Sequence, residues 1–123
     1  MENERIKHLG QLGEMLANND VIAGLSARAE SANPWFVPRF VGYSLNAIAN
    51  EMLAPAKLEK WLSAYSLHPV DKTIGLIFAG NIPLVGFHDF LCCYMAGCRM
   101  QIKLSSKDDA LFPALLNKLF EID

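Results

Sequence analysis

The sequence predicts an α/β chain in which an N-terminal helical region is followed by an incomplete parallel βαβα unit. Three observations carry this. Apolar residues recur at three- and four-residue spacing up to about residue 66. The period then changes, and residues 74–79 form an almost continuous apolar run, the pattern of a strand buried on both faces of a parallel sheet. A helix-length segment separates that run from a second strand-like stretch at residues 99–104.

The chain has 123 residues, 52% hydrophobic and 20% charged, which is a globular composition and enough for one domain rather than two. Lys and Arg number 11 against 13 Asp and Glu, and the charges are scattered, so no electrostatic footprint for nucleic acid or an anionic membrane surface is present. Residues 1–20 are interrupted by Glu2, Glu4, Arg5, Lys7 and Glu14 and carry no secretory pattern. The expected location is cytoplasmic. The longest apolar stretch, residues 82–100, contains His88, Asp89 and Arg99, so no membrane span is expected.

In the helical region Ile6, Leu9, Leu12 and Leu16 form one stripe, Val41, Leu45, Ile48 and Met52 a second, and Leu58, Trp61, Leu62 and Tyr65 a third. Asn33-Pro34 separates the first helical region from the second. Pro38 suits a first helical turn, and Pro55 opens the third region, because proline has no N–H to lose there. Trp35 and Phe36 read as an aromatic anchor pinning a loop to the core, with ligand contact as the alternative.

Ser66 to Asp71 is the junction, which divides the chain into a helical region at 1–70 and an α/β region at 71–123. The second region reads as strand 73–79, helix 84–97, strand 99–104 and helix 108–121. A right-handed crossover and parallel strands follow from that order, and the unit is Rossmann-like. Gly80-Asn81-Ile82-Pro83 breaks the first strand. Ligands of open α/β sheets bind beyond the carboxyl ends of the strands, which is where Asn81 stands.

Lys103 and Ser105 reach the same edge at the end of the second strand. Ser105 with Asp108, and Ser106 with Asp109, each match a Ser-x-x-acid capping pattern ahead of the last helix. Two readings stand side by side. One is a capped helix beside a solvated lysine; the other is a cation and hydroxyls gathered where phosphate is favoured.

Cys92, Cys93 and Cys98 have no Cys-x-x-Cys spacing, and they fall in an apolar segment, so they read as core residues rather than a disulfide framework or a zinc site. Neither the Gly-x-Gly-x-x-Gly fingerprint nor a P-loop occurs. A Ser105, His88, Asp89 triple lacks a nucleophile elbow.

Ala79-Gly-Asn-Ile-Pro-Leu-Val-Gly-Phe-His-Asp-Phe90 followed by Lys103-Leu-Ser-Ser-Lys-Asp108 resembles the acyl-CoA reductase (LuxC-like) branch of the aldehyde dehydrogenase superfamily. Asn33-Pro-Trp-Phe36 and Glu59-Lys-Trp-Leu-Ser-Ala-Tyr65 add to the resemblance, which covers most of the chain. It implies reduction of a fatty acyl thioester, carried by CoA or by a protein, to an aldehyde by NADPH through an acyl-cysteine intermediate. By position Asn81 would help stabilise the oxyanion. Lys103 would contact the adenosine ribose or its phosphate, and Phe78, Ala79 and Gly80 would line the cofactor groove. Ser105 and Ser106 follow that lysine. Leu104 and Ser106 stand where many aldehyde dehydrogenases carry proline and glutamate, and the absent carboxylate favours a 2′-phosphate, hence NADPH over NADH.

In the family the nucleophilic cysteine lies far downstream of the lysine strand, and Cys92, Cys93 and Cys98 do not match it. The expectation is therefore the N-terminal portion of a reductase, without turnover by itself. The apolar residues of the last helix, among them Leu111, Phe112, Leu115 and Phe120, exceed what two strands would cover, which points the same way. The alternative is a non-catalytic relative that pairs with itself or another chain through such a face.

Overall fold

The computed structural model describes residues 2–68 and 70–122. Pro69, inside the expected junction, lies outside them. Four α-helices come first: α1 (Glu2–Met15), α2 (Asn19–Ala32), α3 (Pro38–Ala47) and α4 (Pro55–Leu62), with a π-helical turn at Ile48–Met52 between the last two. Then follow β1 (Thr73–Ile77), α5 (Phe87–Ala96), β2 (Arg99–Lys103) and α6 (Leu111–Ile122). Mixed α/β architecture, mostly helical, is the result.

Local chemistry explains most boundaries. The region expected as a single helical unit before Asn33 divides at Ala17-Asn18, because Asn18 caps α2 by accepting from the Asp20 N–H at 2.8 Å. Pro38 and Pro55 each sit at the first turn of their helices. Leu9, Leu12, Leu16, Val41, Leu45, Leu58 and Leu62 are all buried, so the three stripes face one core. Tyr65, at the end of the third stripe, is exposed.

β1 and β2 pair in parallel, with Thr73 opposite Arg99 and Ile77 opposite Lys103. The expectation of a strand buried on both faces is overturned. Ile74, Leu76 and Phe78 turn toward the helices together with Met100, Ile102 and Leu104, whereas Thr73, Gly75 and Ile77 turn outward with Arg99, Gln101 and Lys103. Ile77 is 83% exposed. Nothing among the described residues covers that outer face, so alternation at period two replaces two-sided burial.

The last helix corrects a second expectation. Its apolar face is covered, because α6 packs on α1 and α2 rather than on the strands alone. Leu111, Phe112, Ala114, Leu115 and Leu119 are buried, each large side chain contributing about 1.5–3 kcal/mol. Only Phe120, 61% exposed, stands clear among its large apolar residues.

Behind the strand ends lies an aromatic cluster. Phe112 sits 4.8 Å from Phe78, 6.0 Å from Phe90 and 6.5 Å from Phe87, centroid to centroid, in tilted or edge-on arrangements that suit aromatic quadrupoles. This cluster is the floor on which the strand-end loops rest.

Candidate functional site

The two loops that leave the carboxyl ends of β1 and β2 lie side by side. Phe78 donates its N–H to the Lys103 carbonyl at 3.0 Å, which extends the pairing one residue past the strands. Gly80 then packs directly on the second loop, where a Cβ would come within 2.7 Å of Ser105 Cβ and 2.9 Å of Lys107 Cβ. Only glycine allows that approach. Gly86 is constrained likewise, since a Cβ there would overlap the Phe78 ring.

Asp108 joins the loops from below. One carboxylate oxygen accepts the Leu84 N–H at 2.9 Å and the other the Phe112 N–H at 3.4 Å, so a single buried side chain ties the β1–α5 loop to the first turn of α6. Leu84 has φ 59°, a left-handed conformation uncommon for leucine, and its buried side chain together with the Asp108 bond holds it there. Burial, the largest cause, pushes the Asp108 carboxyl above its ordinary range; the bonds from Leu84 and Phe112 oppose the rise and the neighbouring Asp109 charge adds to it.

This arrangement revises the expected helix starts. The first crossover helix begins at Phe87, not residue 84, because residues 83–86 form the turn that Asp108 holds. The final helix begins at Leu111 rather than residue 108. Ser105 does not cap it: its hydroxyl accepts the Lys107 N–H at 3.2 Å and shapes the loop, and the capping bond comes from Asp108.

The expected site residues separate into two groups. Asn81, Lys103 and Ser106 are exposed, and Ser105 is half-buried against Gly80. Ala79 is exposed, but Phe78 is buried on Phe112 and Gly80 is buried under the second loop. Asn81 and Ser106 line one cleft of about 460 Å³ together with Gly80, Lys107 and the segment from Ala32 to Phe36. Lys103 is not among its lining residues.

The Asn33 segment was not placed at this site by periodicity. Its Nδ2 donates to the Lys107 carbonyl at 2.9 Å and its Oδ1 accepts the Trp35 N–H at 3.0 Å, so one side chain both shapes its own turn and docks it on the second loop. The aromatic pair divides. Phe36 is buried as an anchor, while Trp35 is 86% exposed and forms a wall of the cleft. The signal available in the sequence was the Asn-Pro turn itself; the span of 74 residues between Asn33 and Lys107 is closed only by folding.

Cys92, Cys93 and Cys98 are free and half-buried, whereas Phe87, Phe90, Leu91 and Met95 are the core residues of α5. Burial first, and nearby negative groups second, push the Cys92 and Cys93 thiols up, away from the reactive thiolate. Cys92 Sγ lies 3.9 Å from His88 Nδ1 on the exposed side of the helix. No cluster of metal-ligating side chains and no helix long and apolar enough to cross a membrane occurs among the described residues. Compared with protein-family models, with curated proteins and with solved structures, the chain matches none.

Proposed function

We propose that this chain is the N-terminal portion of an NADPH-dependent acyl-thioester reductase, its strand-end loops forming part of the cofactor edge. The observation that supports the reading is the convergence of the Gly80-Asn81 loop and the Ser105–Lys107 loop at the carboxyl end of a parallel pair, the place where open α/β sheets take ligands. Lys103 supplies a cation for the ribose phosphate, with Ser105 and Ser106 beside it. Asn81 supplies an exposed amide able to donate to an oxyanion. In this reading the acyl-cysteine does not form on Cys92 or Cys93, whose half-buried thiols are pushed up chiefly by burial.

Calorimetric titration with NADPH tests it. Binding that weakens in Lys103→Ala, with the melting temperature unchanged, is the expected result; equal affinity in the two proteins would remove Lys103 from the site.

A second reading rests on the outer face of the sheet. Ile77 is exposed there, and a two-stranded sheet leaves an unpaired edge on each strand. A non-catalytic assembly module would use that face, and sedimentation would then show a dimer that Ile77→Lys dissolves.

A further inference from the structure

Two of the three free thiols meet at the end of α5. The helix stops at Gly97, whose φ of 77° is the left-handed conformation that closes helices, and the Gly97 N–H donates back to the Tyr94 carbonyl at 3.1 Å. The Cys98 N–H reaches further back, to the Cys93 carbonyl, also at 3.1 Å. Together these bonds make the Schellman closure, in which the residues joined by the longer bond bring their side chains into contact across the turn. Here both of those side chains are cysteines. We infer that Cys93 and Cys98 are a redox-active dithiol, which closes reversibly to a disulfide by exchange with a small-molecule disulfide and so staples the turn between α5 and β2.

The closure supplies the geometry that a disulfide needs. A direct backbone hydrogen bond holds the two Cα atoms at roughly the 4.4–6.8 Å that a disulfide spans. Burial first, and then the negative charge of Cys98 ahead of that of Cys92, push the Cys93 thiol up, so Cys98 acts on it more strongly than its own neighbour in sequence does. Cys92 is turned away: a helix advances about 100° per residue, and the Cys92 Sγ lies 3.9 Å from His88 Nδ1 on another face. Cys93 and Cys98 are only half-buried, which leaves them open to a small reagent. Arg5 packs on the same turn, its Nη1 donating to the Met95 carbonyl at 3.5 Å and its guanidinium filling the space that a Cβ on Gly97 would need. Directly after Cys98 the Arg99 N–H donates to the Lys72 carbonyl at 3.1 Å, where β2 begins to pair with β1. A staple here fixes the point at which α1, α5 and β2 meet.

The exchange balances without a further reagent. One thiolate of the pair attacks a sulfur of the external disulfide, forming a mixed disulfide and releasing one small thiolate; the second thiolate attacks the protein sulfur of that bond and releases the other. Two electrons leave the pair, its two protons pass to the released thiolates, and the external disulfide is reduced to two thiols. In a reducing compartment such a bond is transient rather than a permanent support. None of this depends on the reductase reading, which assigns these cysteines no role.

Equilibration of the full chain with graded ratios of glutathione disulfide to glutathione tests the pair. In Cys92→Ser one internal disulfide alone is possible, and the intact mass should show two hydrogens lost with no glutathione attached. Adding Cys93→Ser or Cys98→Ser to that protein should instead leave glutathione held as a mixed disulfide that nothing resolves. The equilibrium constant for closure in Cys92→Ser should be about tenfold or more higher in buffer than in urea, because the fold, and not nearness in sequence, holds the sulfurs together. The oxidised protein should accordingly melt at a higher temperature than the reduced one. Closure no more favourable in buffer than in urea, an oxidised form that melts no higher, or Cys92→Ser that takes up glutathione or links to a second chain without closing internally, overturns the proposal.

Discussion

The strand-end loops have an inner and an outer side, and the two are held by opposite means. On the inner side Phe78, Leu84, Gly86 and Asp108 are buried, each fixed by ring contact, close approach or hydrogen bond. On the outer side Asn81, Ile82, Ser106, Lys107 and Trp35 are exposed and carry few internal bonds. A small chain can in this way present bare polar and aromatic groups at a defined spacing: the backbone beneath them is over-determined, so their own side chains need not be.

Substitutions on the two sides should therefore separate stability from binding. Phe112→Ala, at the centre of the aromatic cluster, is expected to lose about 3–5 kcal/mol, read as a fall in urea midpoint with unchanged slope. Asp108→Ala leaves two buried N–H groups without acceptors and should lose about 2 kcal/mol or more, with the β1–α5 loop opening to hydrogen exchange before the rest of the chain. A loss no greater than that of an exposed Asp109→Ala control would break the contrast between the two sides.

Asp108 also makes a pH prediction. Its folded carboxyl holds a proton more tightly than the unfolded one, so its contribution falls as pH rises from the ordinary carboxylate range through the raised value. Acidification across that window should accordingly favour the wild type relative to Asp108→Asn, and unfolding curves of both proteins at a series of pH values check the sign. Gly86→Ala forces a methyl into the Phe78 ring and should cost about 1–3 kcal/mol by thermal melting.

The smallest effects belong outside. Asn81→Ala, Lys103→Ala and Trp35→Ala should each shift stability by no more than about 0.5 kcal/mol, because their side chains lie in water. A large destabilisation by any of them would mean that the outer side is structural and would remove the contrast.

Much of this was legible from residue order alone. The helical stripes, the helix-starting prolines, the strand–helix–strand–helix order and the parallel pair all follow from local periodicity and turn chemistry, which act over a few residues. So does the placement of Asn81 beyond the first strand and of Lys103 at the carboxyl end of the second. What residue order could not decide is whatever depends on which surface meets which. Two-sided burial of β1 and an uncovered α6 were reasonable on composition, yet packing gave α6 to α1 and α2 and left one sheet face open. Asp108 matched a capping pattern with Ser105, but tertiary structure turned its carboxylate to Leu84, 24 residues away. The two walls of the cleft are joined by Asn33, which reaches the Lys107 carbonyl across the fold. Side-chain hydrogen bonds between distant segments have no period and no fixed spacing, so only the folded chain selects them.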